Sequence, residues 1–274
     1  MALWAFRGLP LGPGLLWLSP LPLFLAGLGF GLPAMVAAVG VASAALLAAG
    51  GFIPFAIHFL AFALPAVILV AVGLRRGRLD GSLPLALLGI YPAVLILFAA
   101  LLLAGDGGLE AVLTAIVKVG LDRMGLPAGD AMVADIVRIK AAAVGFWLAL
   151  ALLVNGIGAQ GFLARRGLSL APRPAWSEAM LPKLYPAIPA VALVIAAMDD
   201  FGGTTLSLFI VLMLPLLFRG LAVIHTRTRG RNGRPFILGA GYMALVIFSV
   251  PTAAFLVGLA LFDHFSARAP RGTT

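Results

Sequence analysis

Apolar runs close to the ~20 residues needed for a helix to cross a bilayer recur along this chain. This repetition limits the possible folds more than any other feature of the sequence. Of the 274 residues, 62% are hydrophobic and 11% are charged, and a water-soluble fold could not bury so much apolar surface. The sequence therefore predicts an all-α, polytopic transmembrane helical bundle.

About eight runs qualify as membrane segments by length and apolar content. They cover residues 12 to 31, 33 to 50, 52 to 74, 83 to 104, 140 to 163, 183 to 199, 204 to 224 and 236 to 262. We expect them to form a single integral membrane domain over residues 1 to 274. Prolines inside five segments predict kinks, because each leaves the carbonyl four residues earlier without its donor. These prolines are Pro65, Pro92, Pro189, Pro215 and Pro251.

The connections between these segments alternate in charge. Arginines follow the third, fifth and seventh segments: Arg75, Arg76 and Arg78, then Arg165, Arg166 and Arg173, then Arg227, Arg229, Arg231 and Arg234. The intervening connections carry Asp106, Glu110, Asp122, Asp130 and Asp135 in one case and Asp199 with Asp200 in the other. Basic connections remain in the cytoplasm, so the acidic ones are expected to face outward. Counting back places the amino terminus outside, so we expect either that the first two segments form one hairpin-like unit or that a further helix lies upstream.

The remaining composition narrows the class of protein. The net charge of +9 comes from these clusters between apolar runs and not from a basic surface interleaved with aromatic residues, so we predict no nucleic-acid binding. The absence of cysteine excludes disulfides, thiolate zinc sites and iron–sulfur clusters. Sixteen arginines against three lysines, with abundant alanine, glycine and leucine, are typical of a GC-rich bacterial genome. We therefore predict a multi-pass protein of the bacterial plasma (inner) membrane.

No motif in the chain predicts catalysis, a cofactor or a metal site. Residues 156 to 161, Gly-Ile-Gly-Ala-Gln-Gly, match a dinucleotide-binding pattern, but that pattern requires a turn between a strand and a helix. Here it lies at the end of a membrane segment. We interpret these glycines as small residues that permit close helix packing, and we predict no enzyme.

The longest connection, residues 105 to 139, is expected to be an outward amphipathic helical insertion. Apolar residues recur at helical spacing from Leu109 to Val117, with polar residues on another face. Asp130 is expected to cap a second helix running through Met132 and Val137. Two alternatives remain open, a helix pair that packs over the bundle and a lid or gate.

Four polar side chains at membrane depth are candidate cavity groups. They are His58, Tyr91, Asn155 and Gln160. A polar or ionisable group inside the bilayer is costly and therefore a candidate for function, although hydrogen bonding between helices is the alternative. Asp199 and Asp200 are expected to form an outward turn, or the outer mouth for a cation or substrate. Arg219 and His225 are expected to anchor a helix end at the interface by snorkelling.

Small residues in the second segment predict close approach by another helix. Ala34, Ala38 and Ala42 form one row at four-residue spacing, and Gly40, Ala44 and Ala48 form another. The partner helix belongs either to this chain or to a separate membrane subunit.

Four stretches of the chain resemble the YybS-like family of predicted membrane proteins, domain of unknown function 2232. They are Pro20-Leu-Pro-Leu-Phe-Leu-Ala-Gly-Leu-Gly-Phe-Gly31, Tyr91-Pro92, Gly220-Leu-Ala-Val-Ile-His225 and Gly258-Leu-Ala-Leu-Phe-Asp-His264. That family is grouped by distant similarity with substrate-binding subunits of energy-coupling-factor vitamin transporters. Those subunits dock onto a coupling subunit through Ala-x-x-x-Ala rows. The resemblance implies a solute-binding role and a subunit contact at Ala34, Ala38 and Ala42.

Two functions are therefore expected as alternatives. The first is a small-solute transporter or substrate-binding subunit, which requires a polar cavity between helices. The second is a non-transporting scaffold that binds partner membrane proteins, which requires a filled bundle with an outer groove. An enzyme acting on lipid-linked substrates is a third alternative, and it requires two ionisable side chains to converge at membrane depth. Membrane lipid is the expected surrounding partner, and the solute is not specified.

Overall fold

A computed structural model describes residue 2 and residues 12–75, 77–127, 129–172 and 179–266, with only the backbone of Pro13 and Asp106. Arg76 and Arg173, two arginines of the basic connections, lie outside the described residues. The described chain is helical apart from its turns and one short hairpin, and six of its helices are long and apolar enough to cross a membrane. The all-α fold class is confirmed, and the six candidate spans agree with a multi-pass membrane protein.

The chain divides into two compact units, of which the first contains Met1–Leu88 and Trp147–Pro174. Its helices are α1 Gly12–Trp17, α2 Pro20–Phe30, α3 Leu32–Gly50, α4 Phe52–His58 and α5 Leu64–Gly73. A π-helix, Phe59–Ala63, joins α4 to α5, so that Phe52–Gly73 is one continuous helix. The antiparallel strands β1 Leu74–Arg75 and β2 Arg78–Leu79 follow it.

Close packing in the first unit is centred on α2. A methyl group at Gly27 would lie 2.7 Å from Met35 Sδ and 3.2 Å from a methyl carbon of Val70, which brings α2 against α3 and α5. The N–H of Leu170 donates to the carbonyl of Leu28 at 3.1 Å. This bond satisfies one of the carbonyls that a helix leaves without an internal partner in its last turn.

The second unit contains Gly89–Phe146 and Ala175–Thr274. The remaining helices are α6 Ser82–Leu102, α7 Gly108–Arg123, α8 Asp130–Arg165, α9 Ala187–Met198, α10 Gly203–Arg227, α11 Arg234–Ile247 and α12 Ser249–Ser266. A 3₁₀ turn, Ala104–Asp106, precedes α7, and two of the three boundaries between the units fall within α6 and α8. Glycine lets other helices approach α10 closely: a Cβ at Gly89 would lie 2.6 Å from Pro215, and Gly220 contacts the backbone of Leu256.

Three of the expected segments differ from the observed helices. The first is split into α1 and α2 by a turn at Leu18 and Ser19, and the sixth contains only the 12-residue α9. The eighth, residues 236 to 262, is two helices that meet at Phe248, whose φ of −117° and ψ of 55° are not helical. Pro251 has no N–H to offer the carbonyl of Ile247, which favours a break at this point.

The prolines do not all act as expected. Pro92 and Pro215 lie inside helices, and Pro65 follows directly after the π-helix. Pro189 instead lies in the first turn of α9, where a missing N–H removes no hydrogen bond, so it does not interrupt a helix. Pro251 lies in the first turn of α12, and in place of the expected kink the chain has the break at Phe248.

The predicted insertion consists of α7 and the first turns of α8. The expected second helix is not separate, because α8 begins at Asp130 and continues for 36 residues to Arg165. Lys118 and Asp130 form an exposed ion pair at 3.0 Å. Four apolar side chains form a buried cluster between the two helices: Val117, Leu121, Val133 and Val137. α7 therefore packs on α8, in agreement with the helix-pair alternative.

Candidate functional site

His58 is the last residue of α4, directly before the π-helix. Its side chain is 4% exposed, its ring centroid lies 6.1 Å from that of Phe62, and its buried Nδ1 has no hydrogen-bond partner. A buried polar atom without a partner costs about 1–3 kcal/mol, and π-helical turns are frequent at functional sites. His58 therefore remains a candidate functional group of the first unit.

The two amides of α8 bond to the chain within the first unit. Asn155 Nδ2 donates to the carbonyls of Trp17 at 2.9 Å and Ala151 at 2.8 Å. Gln160 Nε2 donates to Ser169 Oγ at 2.9 Å and to the carbonyl of Ala171 at 3.2 Å. Each amide thus ties α8 to another segment, and these contacts support a packing role more directly than a cavity-lining one.

Tyr91 belongs to the second unit, whereas the other three candidate cavity groups belong to the first. It is partly buried in α6 and precedes the internal Pro92. The sequence pattern 156 to 161 lies within α8, and Gly156 faces the ring of Phe24, whose nearest carbon would be 3.6 Å from an added Cβ. This location in a helix interior agrees with a packing role for those glycines.

The alanine rows lie on different parts of the surface of α3. Met35, Val39 and Leu46 are its buried side chains. Ala34, Ala38 and Ala42 are partly buried beside them, whereas Gly40, Ala44 and Ala48 are exposed. The row formed by Gly40, Ala44 and Ala48 is therefore the one that a helix from outside the first unit could approach closely.

The predicted outer mouth forms a turn between α9 and α10. Asp200 and Phe201 have φ angles of 46° and 56°, and the N–H of Phe201 bonds to the carbonyl of Ala196 at 2.7 Å. This bond ends α9 in the manner of a Schellman motif, with Asp200 at the left-handed position usually taken by glycine. Asp199 accepts a hydrogen bond from the hydroxyl of Thr205 at 2.8 Å.

The insertion contacts this turn from two sides. Glu110 of α7 accepts a hydrogen bond from the N–H of Thr204 at 3.2 Å, and Arg138 of α8 donates to the carbonyl of Phe201 at 3.3 Å. A carboxylate at a helix N-terminus satisfies a free N–H and interacts favourably with the helix dipole. Glu110 therefore caps α10, and the two acidic connections meet at one end of the second unit.

Arg219 does not snorkel as expected. Its side chain is 8% exposed and its Nη2 lies 2.7 Å from Asp263 Oδ2, while the Asp263 side chain is 23% exposed. The same nitrogen lies 3.1 Å from Met180 Sδ, and the neighbouring His264 bonds to the carbonyl of Lys183 at 3.2 Å. Arg219 therefore joins α10 to α12 and to the chain that precedes α9.

A groove of about 410 Å³ lies between α10, α11 and α12. Most of its wall is apolar and includes Leu221, Ile224, Leu238, Phe248, Phe255 and Leu256. The break between α11 and α12 shapes it, since the hydroxyl of Thr252 donates to the carbonyl of Ala244 at 3.0 Å across the break. The volume lies in the range typical of small-molecule sites, about 300–1,000 Å³.

Polar groups are concentrated at the end of this groove nearest the basic connection. His225 Nε2 and Tyr242 Oη form a hydrogen bond of 2.8 Å, and both residues line the groove. Arg234, the first residue of α11, lies close enough to His225 for their charges to interact. Its Nε is buried and has no hydrogen-bond partner. The groove thus combines an apolar body with a polar, basic end.

Sequence analysis did not predict this groove. Two signals near it were visible: Pro251, which marks the helix break, and the absence of acidic residues between Asp200 and Asp263. Among the described residues, no cluster of three histidines or carboxylates could hold a metal ion.

Comparison with protein-family models, curated proteins and solved structures finds no match to this chain. The functional assignment therefore depends on the residues of the chain itself.

Proposed function

We propose that the chain is a multi-pass protein of the bacterial plasma membrane with eight membrane segments. Six are the candidate spans, and two are the shorter apolar helices Gly14–Phe30 and Ala187–Met198. α9 is short, 12 residues, but it separates the basic connection after α8 from the acidic turn at Asp199 and Asp200, so the alternation of charge requires it to cross. The 14 residues of α11 extend about 21 Å, less than the ~30 Å of hydrocarbon, and no acidic connection separates α11 from α12. We therefore place α11 on the cytoplasmic side of the membrane and not across it.

Contacts within each unit support the alternation of the connections. In the first unit, the bond between Leu170 and Leu28 brings the basic connection after α8 to the turn between α2 and α3. In the second unit, the bond between Glu110 and Thr204 brings the two acidic connections together. Both arrangements are what alternating cytoplasmic and outward connections require. The arginines around Arg231 then lie in the cytoplasm.

We propose that this protein binds an amphipathic small molecule, as a transporter or as a substrate-binding subunit. A solute site was expected to be a polar cavity, but the candidate amides Asn155 and Gln160 bond to their own chain. The observation that carries the proposal is instead the groove between α10, α11 and α12, whose apolar body ends at His225 and Tyr242, an arrangement that suits an amphipathic solute. An apolar pocket with a few convergent polar groups is the usual form of a small-molecule site. The resemblance to the YybS-like family, with its distant similarity to vitamin-binding subunits, favours the same role.

The test uses two matched glycine variants of α11. Gly241 lines the groove, whereas Gly239 is exposed outside it, and an added Cβ meets nothing within 4 Å at either position. Gly241→Leu fills the groove, and Gly239→Leu makes the same chemical change on the same helix. Thermal stability of the purified protein is measured against fatty acids, lysolipids, vitamins, nucleobases and amino acids.

A ligand at a hundred times its Kd stabilises its target by roughly 2.7 kcal/mol. We expect at least one amphipathic compound to shift the unfolding temperature of the unmodified protein and of Gly239→Leu, and not that of Gly241→Leu. Equal shifts in all three proteins would place binding outside the groove. No shift with any compound would also contradict the proposal.

A membrane scaffold is the second candidate function, and the exposed row on α3 favours it. Gly40, Ala44 and Ala48 would let the helix of a partner protein approach closely. Ala44→Leu should reduce copurification of a partner membrane protein. Ala49→Leu makes the same change at an exposed position about 100° around the helix from the nearest residue of the row, and it should leave the yield unchanged. Equal partner yields from both variants would contradict the scaffold.

We propose no catalytic role. Arg219 and Asp263 are two ionisable side chains that converge, as an enzyme acting on lipid-linked substrates requires. They bond to each other at 2.7 Å, however, and so neutralise each other. This geometry favours a structural role for the pair.

A further inference from the structure

We infer that the molecule bound in the groove is an anionic phospholipid of the cytoplasmic leaflet, an inference that rests on the function proposed above. Its acyl chain would lie along the apolar wall between α10, α11 and α12. Its phosphate would lie at Arg234 and the basic connection. Three observations support this assignment. They are the excess of arginine near the groove, the buried Nε of Arg234, which has no hydrogen-bond partner, and the exposed apolar side chains of α11.

The part of the chain that forms the groove carries an excess of positive charge. Between Asp200 and Asp263 the sequence has no acidic residue and five arginines. Arg219 is paired with Asp263. Four further arginines lie within the eight residues from the end of α10 to the start of α11: Arg227, Arg229, Arg231 and Arg234. Because the stretch between Asp200 and Asp263 has no acidic residue, its net positive charge favours an anionic ligand over a neutral or cationic one.

Arg234 is the arginine best placed to contact a ligand head group. It lies close to His225, which lines the polar end of the groove, and its Nε is buried without a hydrogen-bond partner. A buried donor is costly to leave without a partner. A phosphate can accept two parallel hydrogen bonds from a guanidinium, and such charge-assisted bonds are among the strongest in proteins.

The surface of α11 explains how a lipid would reach the groove. None of its residues is buried, and the exposed side chains include Phe236 at 81% and Val246 at 77%. α11 begins at Arg234 in the basic connection and extends about 21 Å, so its exposed apolar side chains lie at the depth of the cytoplasmic leaflet. The groove beneath such a helix faces the leaflet in which anionic head groups meet cytoplasmic arginines.

The test compares two phospholipids with identical acyl chains. Phosphatidylglycerol and phosphatidylcholine are titrated into delipidated protein in detergent, with binding measured by native mass spectrometry and thermal stability. Glycerol phosphate and inorganic phosphate test the head group alone. The variants are Arg234→Gln and, as a matched control from another basic connection, Arg78→Gln. Gly241→Leu and Gly239→Leu are measured beside them.

We expect phosphatidylglycerol to bind at least tenfold more tightly than phosphatidylcholine. Arg234→Gln should remove most of that preference with little effect on phosphatidylcholine, Arg78→Gln should retain it, and Gly241→Leu should weaken both lipids. Neither phosphate compound should bind comparably.

Four results would overturn the inference. Equal binding of both lipids, still blocked by Gly241→Leu, would rule out the anionic ligand and leave the amphipathic site intact. Equal losses in Arg234→Gln and Arg78→Gln would assign the preference to overall charge. Free phosphate binding as tightly as the lipid would assign the site to a soluble anion. Lipid binding that Gly241→Leu leaves unchanged would contradict the groove itself, and with it the proposed function.

Discussion

The ion pair between Arg219 and Asp263 should be a major determinant of stability in the second unit. The two side chains are 2.7 Å apart at Nη2 and Oδ2, and the arginine side chain is 8% exposed. Asp263→Asn keeps the shape of the side chain and removes its charge, so the buried guanidinium loses the counter-charge at Asp263. Removing one partner of a buried pair costs about 3–5 kcal/mol, and the 23% exposure of Asp263 favours the lower end.

The assay is unfolding of the purified protein in mixed micelles, followed by circular dichroism. Lys118→Gln serves as the control because it removes an ion pair of similar length, 3.0 Å, whose side chains are 46% and 92% exposed. Exposed pairs are worth about 0–1 kcal/mol, so the two variants should differ several-fold in destabilisation. The double variant Arg219→Met, Asp263→Leu should recover much of the loss, since neither charge is then left buried alone. Equal, small effects of Asp263→Asn and Lys118→Gln would refute the reasoning.

Three further predictions concern packing and local conformation. Gly220→Ala should destabilise the protein by more than about 1–3 kcal/mol, the usual cost of overpacking, because its methyl group would overlap the backbone of Leu256. Gly258→Ala is the control: a Cβ at that position meets nothing within 4 Å, so the change should be nearly neutral in the same unfolding assay. Asp200→Gly should stabilise the turn by up to about 1–2 kcal/mol, because its φ of 46° is unfavourable for any residue with a Cβ, and a lower unfolding temperature would contradict this. Gln160→Leu should speed proteolysis or hydrogen exchange of the segment at residues 168 to 171, because its two hydrogen bonds to that segment are lost; unchanged protection would show that the amide does not hold the segment.

The sequence predicted the long helices closely. The expected segments 33 to 50, 52 to 74, 83 to 104 and 204 to 224 correspond to α3, the continuous helix from α4 to α5, α6 and α10. These runs are long, apolar and bounded by glycine, serine or arginine, so length and composition alone locate their ends. The same criteria fail at Phe248, because two short apolar helices have the same average composition as one long helix.

Side-chain partners were harder to predict than helices. Arg219 was expected to reach the interface because its partner, Asp263, lies 44 residues away in the sequence and no spacing rule connects them. Glu110 could be placed on an amphipathic helix, but its role as a cap of α10 depends on how α7 packs. The groove is likewise a property of three packed helices. Only its helix break and its excess of arginine leave a trace in the sequence.

For a polar group buried in a membrane protein, the presence or absence of a hydrogen-bond partner indicates its role better than its polarity alone. Asn155 is buried like His58, yet its amide bonds to two carbonyls of its own unit, which supports holding helices together. His58 Nδ1 and Arg234 Nε are buried atoms without partners, and an unsatisfied group is retained at a cost. Arg234 lies close to His225, which lines a groove of a size that can hold a ligand. This contrast supports the proposed ligand site at the end of the groove near Arg234, a residue that the sequence placed only in a basic connection, whereas His58 was one of four candidate cavity groups.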